Sequence, residues 1–289
     1  MDLVIPDINA TIRPMDISDL HDAHELTQRL KWPHTLADWS DIHSLGTSLV
    51  MEADDQIIGT ACLIPQGNYA SVGLIVIADE YQGNGFGKQI MNEIMSQCSD
   101  EVSLYLTATE MGKPLYKKLG FEEYAVVEQY QNEIDFSKIE LIMPADQALI
   151  REYDESDYSR LVELMSKSTG MNRESLANKV TSMSDRILMV EEQGNITGFA
   201  ALRRFGRGWS IGPVIAENSR NALSLISHHL VDCHGKFVRM DMVSHPDIST
   251  QLVNWGLNKV DTVAQMVKGE TPKPESNIQQ FCLMTQALG

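Results

Sequence analysis

The chain has 289 residues, 43% of them hydrophobic, which is enough apolar material for one large core or two ordinary ones and makes two domains of about 140 residues the prior. Forty acidic residues against 23 basic ones give a formal net charge of −17, which argues against a nucleic-acid partner, because phosphate binding needs clustered Lys and Arg; a neutral or basic small molecule suits this field better. Cys62, Cys98, Cys233 and Cys282 lie far apart with no C-x-x-C pair, so no zinc ribbon or dithiol site is signalled and reduced, cytoplasmic thiols are expected. The opening "MDLVIPDINATIRP" has no basic stretch followed by an apolar one, and no apolar run approaches the ~20 residues of a membrane span; neither a leader nor membrane contact is expected.

In chain order the patterns predict a strand over 10–14, a helix over 18–30, a loop "KWPHTLADW", a hairpin over 48–64, a strand over 71–78 and a glycine loop over 82–87. A helix over 88–97 and a strand over 102–108 follow. Much of this is then repeated. "ATIRPMDISDLHDAHEL" from Ala10 aligns without gaps to "ALIREYDESDYSRLVEL" from Ala148, matching Arg13 to Arg151, Asp16 to Asp154 and Asp19 to Asp157. "LVMEADDQIIGTACL" from Leu49 aligns to "LMVEEQGNITGFAAL" from Leu188, each a hairpin turning at "ADDQ" or "EQGN". "LYKKLGF" and "QLVNWGL" are both helix ends stopped by glycine, Gly120 and Gly256. The expected organisation is α+β, with two copies of one fold spanning 1–143 and 144–289 and joined near "LIMPADQ".

Between the strand "SVGLIVI" and the next helix, "YQGNGFGKQIM" places Gly83, Gly85 and Gly87 at alternate positions. At a helix N-terminus, unpaired N–H groups and the positive end of the dipole attract an anion, glycines let it reach the main chain, and Lys88 adds charge nearby. A plain turn explains three glycines equally well. A Walker loop is excluded, since Gln82 stands where its first glycine belongs and Gln89 where its Ser/Thr belongs. The G-x-G-x-x-G dinucleotide spacing is not met either.

The spacing that is met is Q-x-x-G-x-G, at Gln82, Gly85 and Gly87. With the order of elements around it, this resembles the GNAT superfamily of N-acetyltransferases, and the resemblance covers nearly all of the first half. It implies two tandem domains, each a twisted, mostly antiparallel mixed sheet flanked by helices, with acetyl-CoA as co-substrate and no metal. The loop Gln82, Gly83, Asn84, Gly85, Phe86, Gly87 and Lys88 is implied to wrap the pyrophosphate of coenzyme A. The main chain of Ile75, Val76 and Ile77 is implied to bind the pantetheine arm and polarise the thioester. Tyr116, in the family's Y-x-x-x-G-F pattern, is implied to return a proton to the leaving thiolate, as general acids do. The family usually has Asn seven residues before this tyrosine and Ala four before it; here Thr109 and Gly112 stand there, and Thr109 can still bond the cofactor arm.

An ammonium with a pKa near 10.4 must lose its proton before it attacks, and Glu110 and His34 are the candidate bases. Trp32 and Trp39 share the loop of His34 and are candidate acceptor contacts; tryptophans anchoring a helix to the core are the ordinary alternative. The second half lacks the glycine motif, having "AENSRNAL" there, and places Leu252 opposite Tyr116. It is expected to wall the acceptor pocket, with Arg203 and Arg207 of "RRFGRGW" binding an acidic group, unless the cluster is a solvated strand edge. "HHLVDCH" matches no zinc spacing and reads as a helix tail. The expected function is acetylation of a small-molecule amine by direct attack on the thioester, since no cysteine offers itself as a nucleophile. A non-catalytic acyl-CoA sensor or interaction module is the alternative. The identity of the acceptor and the oligomeric state have no signature in the sequence.

Overall fold

The computed structural model describes residues 9–145, 147–275 and 277–289. The first eight residues, read above for a leader, and Asp146 of the joining segment lie outside the described residues. The chain folds into two compact units, residues 1–64 with 72–100 and residues 65–71 with 101–289.

In the first unit β1 (Thr11–Pro14) leads through a 3-10 turn (Ile17–Asp19) into α1 (Leu20–Arg29). Then come α2 (Leu36–Leu45), β2 (Thr47–Ala53), β3 (Gln56–Gln66), β4 (Tyr69–Ile77) and α3 (Phe86–Met95), with the strands in the order β1-β2-β3-β4. The hairpin between β2 and β3 turns on Asp54 and Asp55, both left-handed at φ 51° and 60°, as a two-residue turn matched to strand twist requires.

The expected loop after α1 is kept over residues 31–35, and its last four residues open the helix α2. Thr35 and Asp38 close a capping box at its start, with Asp38 N–H donating to Thr35 Oγ1 at 3.2 Å and Thr35 N–H to Asp38 Oδ2 at 2.8 Å. Trp39 therefore sits on a helix and is fully buried, its indole N–H donating to Thr27 Oγ1 on α1 at 3.1 Å. The acceptor role expected of Trp39 is corrected accordingly: it fastens α2 to α1. Trp32 is half-buried against Leu26, Val76 and Ala78.

The second unit continues with β5 (Ser103–Ala108), α4 (Lys113–Lys118), β6 (Glu122–Glu133), β7 (Ala148–Glu152), α5 (Tyr158–Thr169), α6 (Glu174–Met183) and β8 (Ser184–Glu192). β9 (Asn195–Phe205), β10 (Gly208–Ala216), α7 (Ser219–Leu230), β11 (Phe237–Val243), α8 (Pro246–Asn254), β12 (Asn258–Lys268) and β13 (Gln279–Cys282) complete it. Its strands are ordered β5-β12-β6-β11-β13-β10-β9-β8-β7. The two copies exchange strands: β12, from the second copy, lies between β5 and β6 of the first, with Ala264 opposite Ala108 on one side and Val126 on the other. β6 in turn pairs with β11, Tyr130 opposite Met240. The boundary read from the repeat, between residues 143 and 144, thus falls inside the second unit. Leu252, Trp255, Met240 and Phe281 are buried in one apolar cluster beneath these strands. Among the described residues no helix is long and apolar enough to cross a membrane.

The most closely repeated residues prove to be a corner that pins strand to helix. Arg13 forks onto Asp19 at 2.6 and 3.0 Å and reaches Glu52 at 2.5 Å, while Asp19 also accepts the Asp16 N–H at 2.7 Å. Arg151 does the same with Asp157 at 2.7 and 2.8 Å and Glu191 at 2.5 Å, and Asp157 accepts the Asp154 N–H at 2.9 Å. The Arg151 guanidinium holds the Asp157 carboxyl below its ordinary value, so the stabilisation is complete above about pH 4 and fades as pH falls through the lowered folded pKa. Arg151→Met is expected to cost about 1–3 kcal/mol at pH 7, the range of a partly buried charge-assisted pair. Thermal unfolding of parent and variant at pH 7 and pH 3 tests this; a gap that does not narrow at the lower pH contradicts it.

Candidate active site

The glycine loop folds as a short 3-10 turn (Asp79–Tyr81) followed by two left-handed residues, Gly83 at φ 81° and Gly85 at φ 82°. A Cβ at either position meets nothing within 4 Å, so backbone conformation and not crowding demands glycine there. Gln82 Nε2 donates to the Ile77 carbonyl at 3.0 Å and to Asp79 Oδ1 at 3.0 Å, and Asn84 Nδ2 donates to the Tyr81 carbonyl at 3.1 Å. These two side chains hold the loop's shape from behind. α3 begins at Phe86, two residues before the expected start at Lys88, with Gly85 as its N-cap. Gly85 has no side chain to bond the first-turn amides; its carbonyl takes the Lys88 N–H at 3.1 Å, and the Phe86 and Gly87 N–H groups are the ones left to an anion. Lys88 and Gln82 are exposed, and Phe86 is buried as the anchor of the turn.

Upstream, Leu74 is left-handed at φ 49° in the middle of β4 although it is 3% exposed, and its carbonyl accepts the Thr60 hydroxyl at 2.7 Å. A side-chain-bearing residue held there breaks the extended geometry of the strand just before Ile75, Val76 and Ile77. The sequence gives no sign of it, because Leu is not a residue of left-handed turns.

Tyr116 lies on α4, 8% exposed, with its ring edge-on to Phe121 at 6.1 Å between centroids. Burial pushes its phenol up to about 12, which keeps it protonated as a donor. Gly112 makes room for it: a Cβ there stands 2.9 Å from Tyr116 Cε2, so the alanine usual in the family would press on this ring. The Thr109 hydroxyl accepts the Gly112 N–H at 3.3 Å and so helps to start α4. Glu110 is exposed and paired with Lys113 at 2.5 Å; Lys113 also lies 3.5 Å from Glu123. His34 is buried between α1 and α2, its carbonyl accepting Gln28 Nε2 at 2.9 Å and its ring tilted toward Trp32.

The second copy differs at each of these points. The first turn of α7 is closed by its own side chain, Asn218 Oδ1 accepting the Asn221 N–H at 2.9 Å, where α3 has a bare glycine. The parallel ladder of β10 and β11 covers Trp209–Ser210 and Val238–Arg239, and past it β13 pairs with both strands, Cys282 opposite Val214 and Met242. This insert is tight. A Cβ at Gly212 would stand 2.1 Å from the Leu283 carbonyl oxygen. Leu252, opposite Tyr116 in the repeat, is buried in the core.

Arg203 is neither a solvated edge residue nor exposed. β9 is paired on both sides, and Arg203 is 1% exposed with its guanidinium 4.6 Å from the Phe205 ring centroid. Arg207 is exposed and stacks on Phe237 at 3.9 Å. His229 is buried at the end of α7, its Nε2 3.1 Å from the Ala200 carbonyl oxygen, and burial pulls its pKa down to about 4. Among the described residues the one group of side chains placed like metal ligands is His21, Asp22 and Glu25, all exposed on α1.

Two models of the acetyltransferase (GNAT) domain match the chain, one over residues 37–143 and one over 161–282. They fall in separate copies of the repeat and together take in most of the sequence. The chain is 27% identical over 235 residues to the uncharacterized N-acetyltransferase YitH of Bacillus subtilis, covering 81% of each protein. A putative acetyltransferase of Pyrococcus horikoshii has the same fold, with a TM-score of 0.77 at 18% identity over 97% of this chain and 96% of that one. So does a tandem GNAT protein from the clavulanic acid biosynthesis pathway, with a TM-score of 0.61 at 11% identity, over 91% of this chain and 100% of that one.

The conformational reading of the loop is open to direct test. Gly85→Ala forces a Cβ into the left-handed region and is expected to destabilise the fold by about 1–2 kcal/mol. Gly87→Ala, at a position without a positive φ, is expected to cost less. Equal melting temperatures for the two variants in thermal unfolding would contradict the assignment.

Proposed function

The chain belongs to the GNAT acetyltransferases and carries two such domains in tandem, and on that premise we propose that its first copy moves an acetyl group from acetyl-CoA to the amine of a small molecule. The observation that carries this reading is the contrast between two equivalent helices: α3 starts on a bare, left-handed glycine, and α7 starts under the side chain of Asn218. The bare glycine leaves no cap side chain in front of the Phe86 and Gly87 amides, where a diphosphate would sit, whereas in α7 the Asn218 side chain occupies that place.

In the proposed reaction the amine lone pair attacks the thioester carbonyl carbon, and the electron pair of the C=O bond moves to oxygen. Main-chain N–H groups among Ile75, Val76 and Ile77 stabilise that oxyanion, and the break at Leu74 supports their being turned out of the regular ladder. Collapse re-forms the carbonyl and breaks the C–S bond, and Tyr116 hydrogen-bonds the sulfur as it takes the electron pair. The proton that the amine gives up passes to Glu110 or His34, directly or through water. Arg203 and Arg207 are not assigned to the acceptor in this reading, being engaged by aromatic rings.

Tyr116→Phe is expected to lower kcat about 10²- to 10⁴-fold, the usual contribution of a proton donor, with the dissociation constant of acetyl-CoA unchanged. Thiol release and calorimetric titration measure the two separately. A variant that turns over at the parental rate removes the donor and favours a non-catalytic sensor. The titration of the full chain is also expected to show one acetyl-CoA per chain. Two equivalent sites would contradict the reading of α7 and β13 as a closed second copy.

A further inference from the structure

The second unit contains a cavity of about 320 Å³ lined by β6, β12, the end of α5 and the segment leading into β13. Its wall includes Tyr124, Arg173, Gln265, Gln279 and Gln280, and no carboxylate. In a chain with 40 acidic residues against 23 basic ones, a cavity with one cation and no acid is set apart from the rest of the protein's field.

Arg173 is 3% exposed, and its partners are all neutral. Nη1 donates to the Leu288 carbonyl at 2.9 Å and to the Tyr105 hydroxyl at 3.2 Å, Nε donates to Thr169 Oγ1 at 3.3 Å, and the guanidinium lies 5.9 Å from the centre of the Tyr105 ring. These bonds leave two of its five N–H groups, those on Nη2, without a partner among the described residues; Gly289 lies close by, a Cβ there standing 3.4 Å from Nη2. A buried guanidinium is ordinarily compensated by an anion. The phenol of Tyr124 also lines the cavity without a hydrogen-bond partner among the described residues, and burial pushes its pKa up, keeping it a donor.

We propose that this cavity binds the carboxylate of the acceptor, with Arg173 supplying the charge and Tyr124 and the glutamines supplying hydrogen bonds, so that the substrate class is a small amine bearing a carboxylate. The proposal rests on the transferase reading above. One guanidinium among neutral amides matches a monoanion; a phosphate dianion calls for more positive charge than the cavity wall offers. The volume lies at the small end of the range for ligand sites, which suits a molecule of amino-acid size.

The test compares free α-amino acids with their amides, matched in side chain, as acceptors for the full chain with acetyl-CoA. The free acids are expected to be preferred at least about tenfold in kcat/KM, and Arg173→Gln is expected to remove that preference through KM while changing the amides little. Because Arg173 also anchors the segment Thr285–Gly289, Gln265→Glu serves as a second variant. It leaves the anchor intact and is expected to repel the acids alone. Equal turnover of acids and amides, or equal effects of both variants on the two series, overturns the proposal and leaves Arg173 as an anchor only. Should no amine release thiol, the transferase reading falls. The cavity is then judged by whether free amino acids, and not their amides, raise the melting temperature; if neither does, the proposal falls as well.

Discussion

The exchange of β6 and β12 is the constraint on which the second unit depends. β5 has its antiparallel partner in a strand that the chain makes about 150 residues later, and β11 has its partner in β6 of the first copy. The ladders along these inner edges form only when both copies are present, and a buried strand edge without a partner is costly. The ladders also set the position of α4, which follows β5 directly and carries Tyr116. The second copy thus has a structural part to play whatever chemistry it carries: β12 completes the sheet that α4, with Tyr116, follows.

The same duplication shows how one fold keeps its frame while its helix starts and strand ends change. The arginine corners at Arg13 and Arg151 join the same partners, an aspartate six residues on and a glutamate of the neighbouring strand, and the two hairpins turn alike at Asp54–Asp55 and Gln193–Gly194. The copies diverge at the ends of β4 and β10 and in the helices after them, as well as at Leu252, which stands opposite Tyr116. An asparagine cap replaces a left-handed glycine, and β13 takes up the edges of β10 and β11 past the short parallel ladder. Both of these changes are local, and each substitutes the chain's own atoms for hydrogen-bond partners that the first copy leaves open.

This pattern accounts for what could be read in advance. The repeat, the hairpins and the loop were legible because positive φ, capping and ion-pair corners call for particular residue types: Asp and Gly at turns, Arg with Asp six residues on, glycines at 83 and 85. The α2 helix carried a signal as well, Thr35 with Asp38 three residues later, but Pro33 and the two tryptophans made the segment look like a loop. The strand exchange had no local signal. β6 and β12 have the composition of strands, and nothing in a strand's own sequence names its neighbour. The break at Leu74 and the burial of Arg173 and Arg203 were equally silent, since tertiary packing alone places a leucine left-handed or an arginine inside.

The environment of Tyr116 also limits what the residue can do. Burial raises the phenol well above an ordinary thiol, so complete transfer of its proton to a free thiolate is uphill. In the proposed reaction such a tyrosine would be a poor proton reservoir and a good hydrogen-bond donor, of most help while charge builds on sulfur and of less once the thiolate has formed and can be protonated by water. Burial works in favour of that role. It keeps the donor protonated across the physiological range, and Gly112 and Phe121 fix the ring, so little reorganisation is needed as the C–S bond breaks.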